Sequence, residues 1–254
     1  MPDGIPPLAD IIEAPALRMS QPWMRSVFRH PELQQDLLLV NVVYAEADPS
    51  RPIKPALELI TPLAQSDAGA DGMYRARMSD ELIEEVAGWA GDNELLLILD
   101  MQMGRSTVAE ELPVLLPYLR RPNTHLALDP EFNMAPGEVP GVTIGSMSAA
   151  EINTAIRTLA ELVESEQLPP KVLIVHQFLP SMISNVEAIE SDPRVQVVIV
   201  ADGFGGPAAK ISKYNAFIRD SGVSYGGLKL IYKYDEPLLE PEDVLPVPDV
   251  VIYQ

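Results

Sequence analysis

Four short apolar runs in this sequence end the same way, on a side chain that can ionise. Leu95–Leu99 runs into Asp100, Asn123–Leu128 into Asp129, Val172–Val175 into His176, and Val197–Ala201 into Asp202. Runs this short and continuous read as strands buried on both faces, the pattern of a parallel sheet covered by helices. A polar group delivered at the carboxyl end of strand after strand points to an α/β barrel with its site at that end.

The chain has 254 residues, close to the length of about 250 typical of one such barrel. The expected fold is therefore α/β, a single (β/α)8 TIM-type barrel with an N-terminal arm. Residues 1–36 are proline-rich and lack periodicity, and read as an arm packed on the barrel; residues 37–254 read as the barrel domain.

Eight strands are expected: Leu37–Tyr44, Met73–Met78, Glu94–Asp100, Asn123–Asp129, Lys171–His176, Val195–Ala201, Gly227–Tyr234 and Val250–Tyr253. Pro55–Gln65 reads as a short helix. Ser79 is an N-cap with acidic Asp80 and Glu81 behind it. Leu82, Ile83, Val86 and Trp89 or Ala90 then share one helical face. A helix from Ser106 to Leu119 is expected to kink or split at Pro113 and Pro117. Ser148 and Glu151 form a capping box for a helix to Gln167. Further helices are expected over Asn185–Ser191 and Pro207–Asp220.

The charge balance, 18 Lys+Arg against 37 Asp+Glu, gives −19. That repels phosphate backbones and anionic membranes, so no nucleic-acid partner is expected. With no cysteine, disulfides, thiolate metal sites and Cys nucleophiles are excluded. No stretch of about 18 apolar residues is present, so no transmembrane segment is expected. The first residues lack the basic and apolar regions of a leader. An extracytoplasmic location would need a leader already removed, and the alternative is the cytoplasm. The oligomeric state is left open.

Asp129 and Glu131 stand two apart at a strand end. If the strand persists through Pro130, both leave on one face with Cα atoms about 6.6 Å apart. Like charges that close push their pKa values apart, as a general acid and its partner carboxylate require. With Asp202 these are the candidate catalytic residues. Asp100, Gln102, Arg105, His176, Gln177, Tyr44 and Tyr232 are the candidate substrate-binding groups, from strand ends and the loops after them. Tyrosine rings pack on sugar faces while their hydroxyls hydrogen-bond. Lys229 sits mid-strand, where a salt bridge inside the barrel is as plausible as a site role. His125 opens a strand and belongs at the bottom, where residues serve stability. The turn Asp202-Gly203-Phe204-Gly205-Gly206 lacks the spacing of a dinucleotide fingerprint, and there is no Walker lysine. No cofactor and no resident metal are expected.

Leu99–Met134, Pro140–Asn153, Leu168–Phe178 and Val197–Gly205 together resemble a group of largely uncharacterised bacterial proteins, many described as hypothetical lipoproteins. The resemblance spans Tyr44 to Gln254. It implies a glycoside-hydrolase-type barrel, a bacterial origin and export, and brings no established activity with it.

Three functions fit these residues. The first is a carbohydrate-active hydrolase of glycoside-hydrolase type, acting on a glycan or small-molecule substrate. The second is a metal-dependent hydrolase or isomerase using Asp100, Asp129, Glu131, His176 and Asp202 as oxygen and nitrogen ligands. The third is a surface protein that binds a glycan or partner without turnover.

Overall fold

The computed structural model describes residues 10–13, 53–219, 225–231, 234–244 and 248–254. Its centre is a curled parallel sheet. In chain order the strands are β1 (Asp10–Glu13), β2 (Ile53–Ile60), β3 (Leu96–Met101), β4 (Thr124–Leu128), β5 (Lys171–Gln177), β6 (Val195–Ala201), β7 (Tyr225–Leu230) and β8 (Val250–Tyr253). From β2 to β8 each strand lies beside the next in sequence, all parallel. These seven strands make up the body of the sheet. The four residues of β1 lie across the seam, paired with β2 on one side and β8 on the other.

Alternation along the strands sorts the core into two layers. Ala56, Ile98, Ala127, Ile174, Val198 and Ile252 pack together inside the curl. Leu57, Leu99, Leu126, Leu173, Ile199 and Leu228 point outward into the larger core beneath the helices. Both faces are buried, so the strands read as apolar runs with no polar alternation. Branched side chains suit the narrow interior.

The longer helices are α1 (Asp80–Asp92), α2 (Val108–Leu119), α3 (Ala149–Glu166) and α4 (Pro207–Tyr214), the last continued by a π-helical turn over Asn215–Arg219, and a single helical turn follows at Pro241–Val244. Ser79 caps α1, accepting from Leu82 N, and Leu82, Ile83, Val86 and Ala90 are buried as the spacing predicts. Ser148 and Glu151 form the expected capping box on α3.

The architecture is TIM-like, but it is not the regular eightfold (β/α)8 barrel, because helices are few among the described residues. The expected helix over Asn185–Ser191 is one short 3-10 turn, Val186–Ala188. Asn153 of α3 donates to Ala188 O (2.9 Å) and accepts from Glu190 N (2.8 Å), which holds the segment open. A seven-residue stretch does not repay helix nucleation by itself.

Pro55–Gln65 is not a helix: Ile53–Ile60 is β2. Its apolar residues satisfy helical spacing too, but pairing along both edges outweighs local preference. The expected strand Met73–Met78 shrinks to Arg75–Ala76, antiparallel to Leu63–Ala64 and off the main sheet. The helix expected to break at Pro113 or Pro117 runs through both. Asp10–Glu13, expected within an arm, is a strand. The expected strand Leu37–Tyr44, Tyr44 itself and Tyr232 lie outside the described residues.

Candidate active site

The two ends of the sheet treat their polar groups differently. At the amino ends, Lys171 donates to Arg121 O (2.7 Å) and Thr124 O (2.9 Å), and His125 Nδ1 accepts from Val172 N (3.1 Å). Burial, with Lys171 nearby, pushes the His125 imidazole down to about 3, so it is neutral. These groups hold strand starts together, as the position of His125 suggests.

At the carboxyl ends four buried carboxyl groups meet two bases. Glu58, Asp100, Asp129 and Asp202 are all buried, as are His176 and Lys229. His176 lies between two of the acids, with Nε2 3.3 Å from Glu58 Oε1 and Nδ1 3.5 Å from Asp202 Oδ2. Lys229 Nζ donates to Asp202 Oδ2 at 3.0 Å, and Gly203 N donates to Asp202 Oδ1 at 2.6 Å. Gln102 Nε2 donates to Asp129 Oδ2 at 3.1 Å. Asp100 Oδ1 is fully enclosed and has no hydrogen-bond partner among the described residues.

Electrostatics follow from that crowding. Burial, then the charges of Asp129 and Glu58, push the Asp100 carboxyl up to about 8. Burial and Lys229 oppose a charged His176, but the adjacent carboxylates of Asp202 and Glu58 outweigh them and raise it well above the usual imidazole value. At neutral pH Asp100 is therefore mostly a neutral acid, and His176 an imidazolium.

Asp202 connects this interior cluster to an open cleft of about 240 Å³, lined also by Glu131, Phe178, Phe204, Ile231 and Tyr234. Phe204 and Tyr234 are 65% and 54% exposed, unusual for aromatic rings, and their centroids stand 5.6 Å apart at 49°. Gly203 makes this wall possible. Its φ is +87°, and a Cβ there would lie 2.9 Å from the Phe178 Cβ.

Asp129 and Glu131 are not a strand-spaced pair. Strand β4 ends at Leu128, and Asp129 instead caps a 3-10 turn over Pro130–Phe132, accepting from Glu131 N at 3.3 Å. Asp129 turns inward to Gln102, and Glu131 opens to the cleft. Successive strand residues face opposite ways, so Gln177 points away from His176, and it donates to Leu179 O in its own loop at 3.3 Å. Arg105 donates to Glu138 O (2.9 Å) and lies over the Tyr74 ring at 4.1 Å; it does not line the cleft. Lys229 is both barrel salt bridge and site neighbour. The residue that sequence reasoning missed is Glu58, hidden inside the segment read as a helix. Its signal was a single acid flanked by Leu57 and Leu59 in an otherwise apolar run.

No family model matches the chain, and no curated protein matches it. The resemblance to bacterial lipoproteins gains no support from them. Among solved structures, a trimodular GH5_4-subfamily endoglucanase aligns over 87% of this chain at 10% identity and a TM-score of 0.43. This chain spans 48% of that protein's length. A likeness at that level adds nothing to the strand order itself. No helix among the described residues is long and apolar enough to cross a membrane.

Proposed function

We propose that this chain is a carbohydrate-active hydrolase of glycoside-hydrolase type, working in the cleft at the carboxyl ends of a TIM-type barrel. The observation that carries the reading is one cleft holding two carboxyl groups, Glu131 and Asp202, beside an exposed aromatic pair, Phe204 and Tyr234. Glycoside hydrolysis needs two carboxyl groups flanking the scissile bond. Sugar rings present C–H faces that aromatic side chains cover. Asp202, held by the Lys229 ammonium and the Gly203 N–H, is suited to work as the ionised partner. Glu131, on the outer side, serves as the general acid. Asp100, Asp129, His176 and Gln102 shape the electrostatics behind Asp202 and do not touch substrate.

Release of reducing ends from a panel of oligosaccharides tests this. Glu131→Gln should lower turnover by about a hundredfold or more, the scale of general acid catalysis, with an unchanged circular dichroism spectrum. Turnover at the wild-type level in that variant would remove Glu131 from the mechanism. Binding of oligosaccharides without cleavage would favour the non-catalytic reading instead.

A further inference from the structure

The interior cluster behind Asp202 has a composition that hydrolysis in the cleft does not require. We propose that Glu58, Asp100 and His176 form a binding site for one first-row divalent cation of the Zn²⁺ or Mn²⁺ class. One ligand atom from each of the three lies within 4.8 Å of the others, and all three side chains are buried. In a tetrahedral site, ligands at about 2.0–2.2 Å from the ion stand roughly 3.3–3.6 Å apart. His176 Nε2 and Glu58 Oε1, at 3.3 Å, already match that spacing, and closing the set on a cation takes a shift of about 1 Å in the Asp100 side chain.

Three further observations point to a ligand. Asp100 is 3% exposed, and its Oδ1 has no hydrogen-bond partner among the described residues. A buried carboxyl group in that condition is costly, and a cation would satisfy it. The second observation is the ring of His176. Its Nε2 faces Glu58, while Nδ1, which has no hydrogen-bond partner among the described residues, lies 3.5 Å from Asp202 Oδ2, close enough for that bond to form once the ring is held by an ion. A histidine that binds a metal through one nitrogen and gives its other N–H to a carboxylate is the usual supporting arrangement, and it fixes the tautomer. Asp202 is itself held by Lys229 at 3.0 Å. The third is charge. Four buried carboxyl groups (Glu58, Asp100, Asp129, Asp202) gather with His176 and Lys229, so among the described residues of the cluster oxygen donors outnumber bases, a composition that suits a cation. One imidazole nitrogen with two carboxylate oxygens suits Zn²⁺ or Mn²⁺ better than Mg²⁺ or Ca²⁺, which favour oxygen alone.

The site does not rest on the glycan reading. Stoichiometric metal without glycan cleavage keeps it and removes the hydrolase. Cleavage by a chain that takes up no metal does the reverse. The test is calorimetric titration of the chelator-stripped full chain with ZnCl2 and, separately, MnCl2, with MgCl2 for comparison. One ion of Zn²⁺ or Mn²⁺ per chain is expected. Asp100→Asn and Glu58→Gln should each weaken binding at least a hundredfold, and Asp202→Asn about 10–100-fold through the ring orientation. Glu164→Gln, on the surface, should change nothing. Absence of stoichiometric binding by either ion, or binding left intact by Asp100→Asn and Glu58→Gln, overturns the site. Should those variants fail to fold, electron spin-echo spectroscopy of the Mn²⁺-loaded wild-type chain decides. Coupling to one imidazole nitrogen supports the site, and coupling to none overturns it.

Discussion

The buried ion pair between Lys210 and Asp235 should behave as a clamp on the cleft wall, and its removal has a characteristic asymmetry. The two side chains are each 1% exposed and meet at 2.8 Å. Lys210 also donates to Lys229 O at 2.6 Å, and Asp235 accepts from Gly205 N (2.8 Å) and Ile231 N (2.7 Å). The pair thus ties α4 to β7 and fixes the turn that presents Phe204. Asp235→Asn keeps the shape but leaves a buried ammonium facing neutral oxygens in place of its carboxylate, which should cost about 3–5 kcal/mol. Lys210→Met leaves an Asp235 carboxylate that still has two backbone N–H donors, so its cost should fall at the lower end of that range. In the double variant neither charge is stranded, so it should be more stable than the two single effects added together, by roughly 2 kcal/mol or more. At roughly 2–4 °C per kcal/mol for a domain approaching this size, Asp235→Asn should lower Tm by about 6–20 °C. Urea denaturation of the four proteins measures the cycle. Single variants within about 1 kcal/mol of wild type, or a strictly additive double variant, would refute the reasoning.

His125 makes an acid-side prediction. Its folded value, about 3, lies below the unfolded 6.5, so the unfolded chain binds the extra proton between them. Stability from this residue is present above pH 6.5 and is lost as pH falls towards 3, at about 1.4 kcal/mol per pH unit. His125→Asn should show that much shallower a loss between pH 6.5 and 4.5 in denaturant titrations; an identical slope would contradict it. Phe204→Ala and Tyr234→Ala should each weaken oligosaccharide binding about two- to tenfold in calorimetry, the range of one aromatic contact, while leaving Tm almost unchanged. Gly203→Ala should lower stability by about 1–2 kcal/mol, because φ is positive there and the new Cβ crowds Phe178; a neutral effect would show that the turn relaxes freely.

The carboxyl-end site was legible to the extent that position in a strand determines it. Asp100, His176 and Asp202 each follow a run of β-branched and Leu residues, and a buried strand has little choice but to end where the run ends. Alternation then carries Asp100 and His176 inward, which the sequence could have shown for Gln177 as well, since neighbours in a strand face apart. Asp129 and Glu131 read as a pair only while the strand was assumed to pass through Pro130. Proline starts a 3-10 turn there instead, and the two acids part. Glu58 was hidden because Ala56–Ile60 fits helical and strand spacing equally, and only long-range pairing with β1 and β3 decides between them. The cleft's aromatic wall was harder still. Phe204 and Tyr234 lie 30 positions apart in two loops, and their approach depends on the Lys210–Asp235 contact, which no local pattern announces.

The central claim is that Glu131, Asp202 and the Phe204–Tyr234 pair form one glycan-binding cleft with the chemistry between the two carboxyl groups. The most direct test is the crystal structure of the Glu131→Gln chain soaked with an oligosaccharide that the wild-type chain cleaves. The account predicts a sugar ring against Phe204 or Tyr234, with its glycosidic oxygen within hydrogen-bond reach of the residue 131 side chain and its anomeric carbon on the Asp202 side. A sugar bound elsewhere on the surface, or a cleft left empty at saturating ligand, would contradict it.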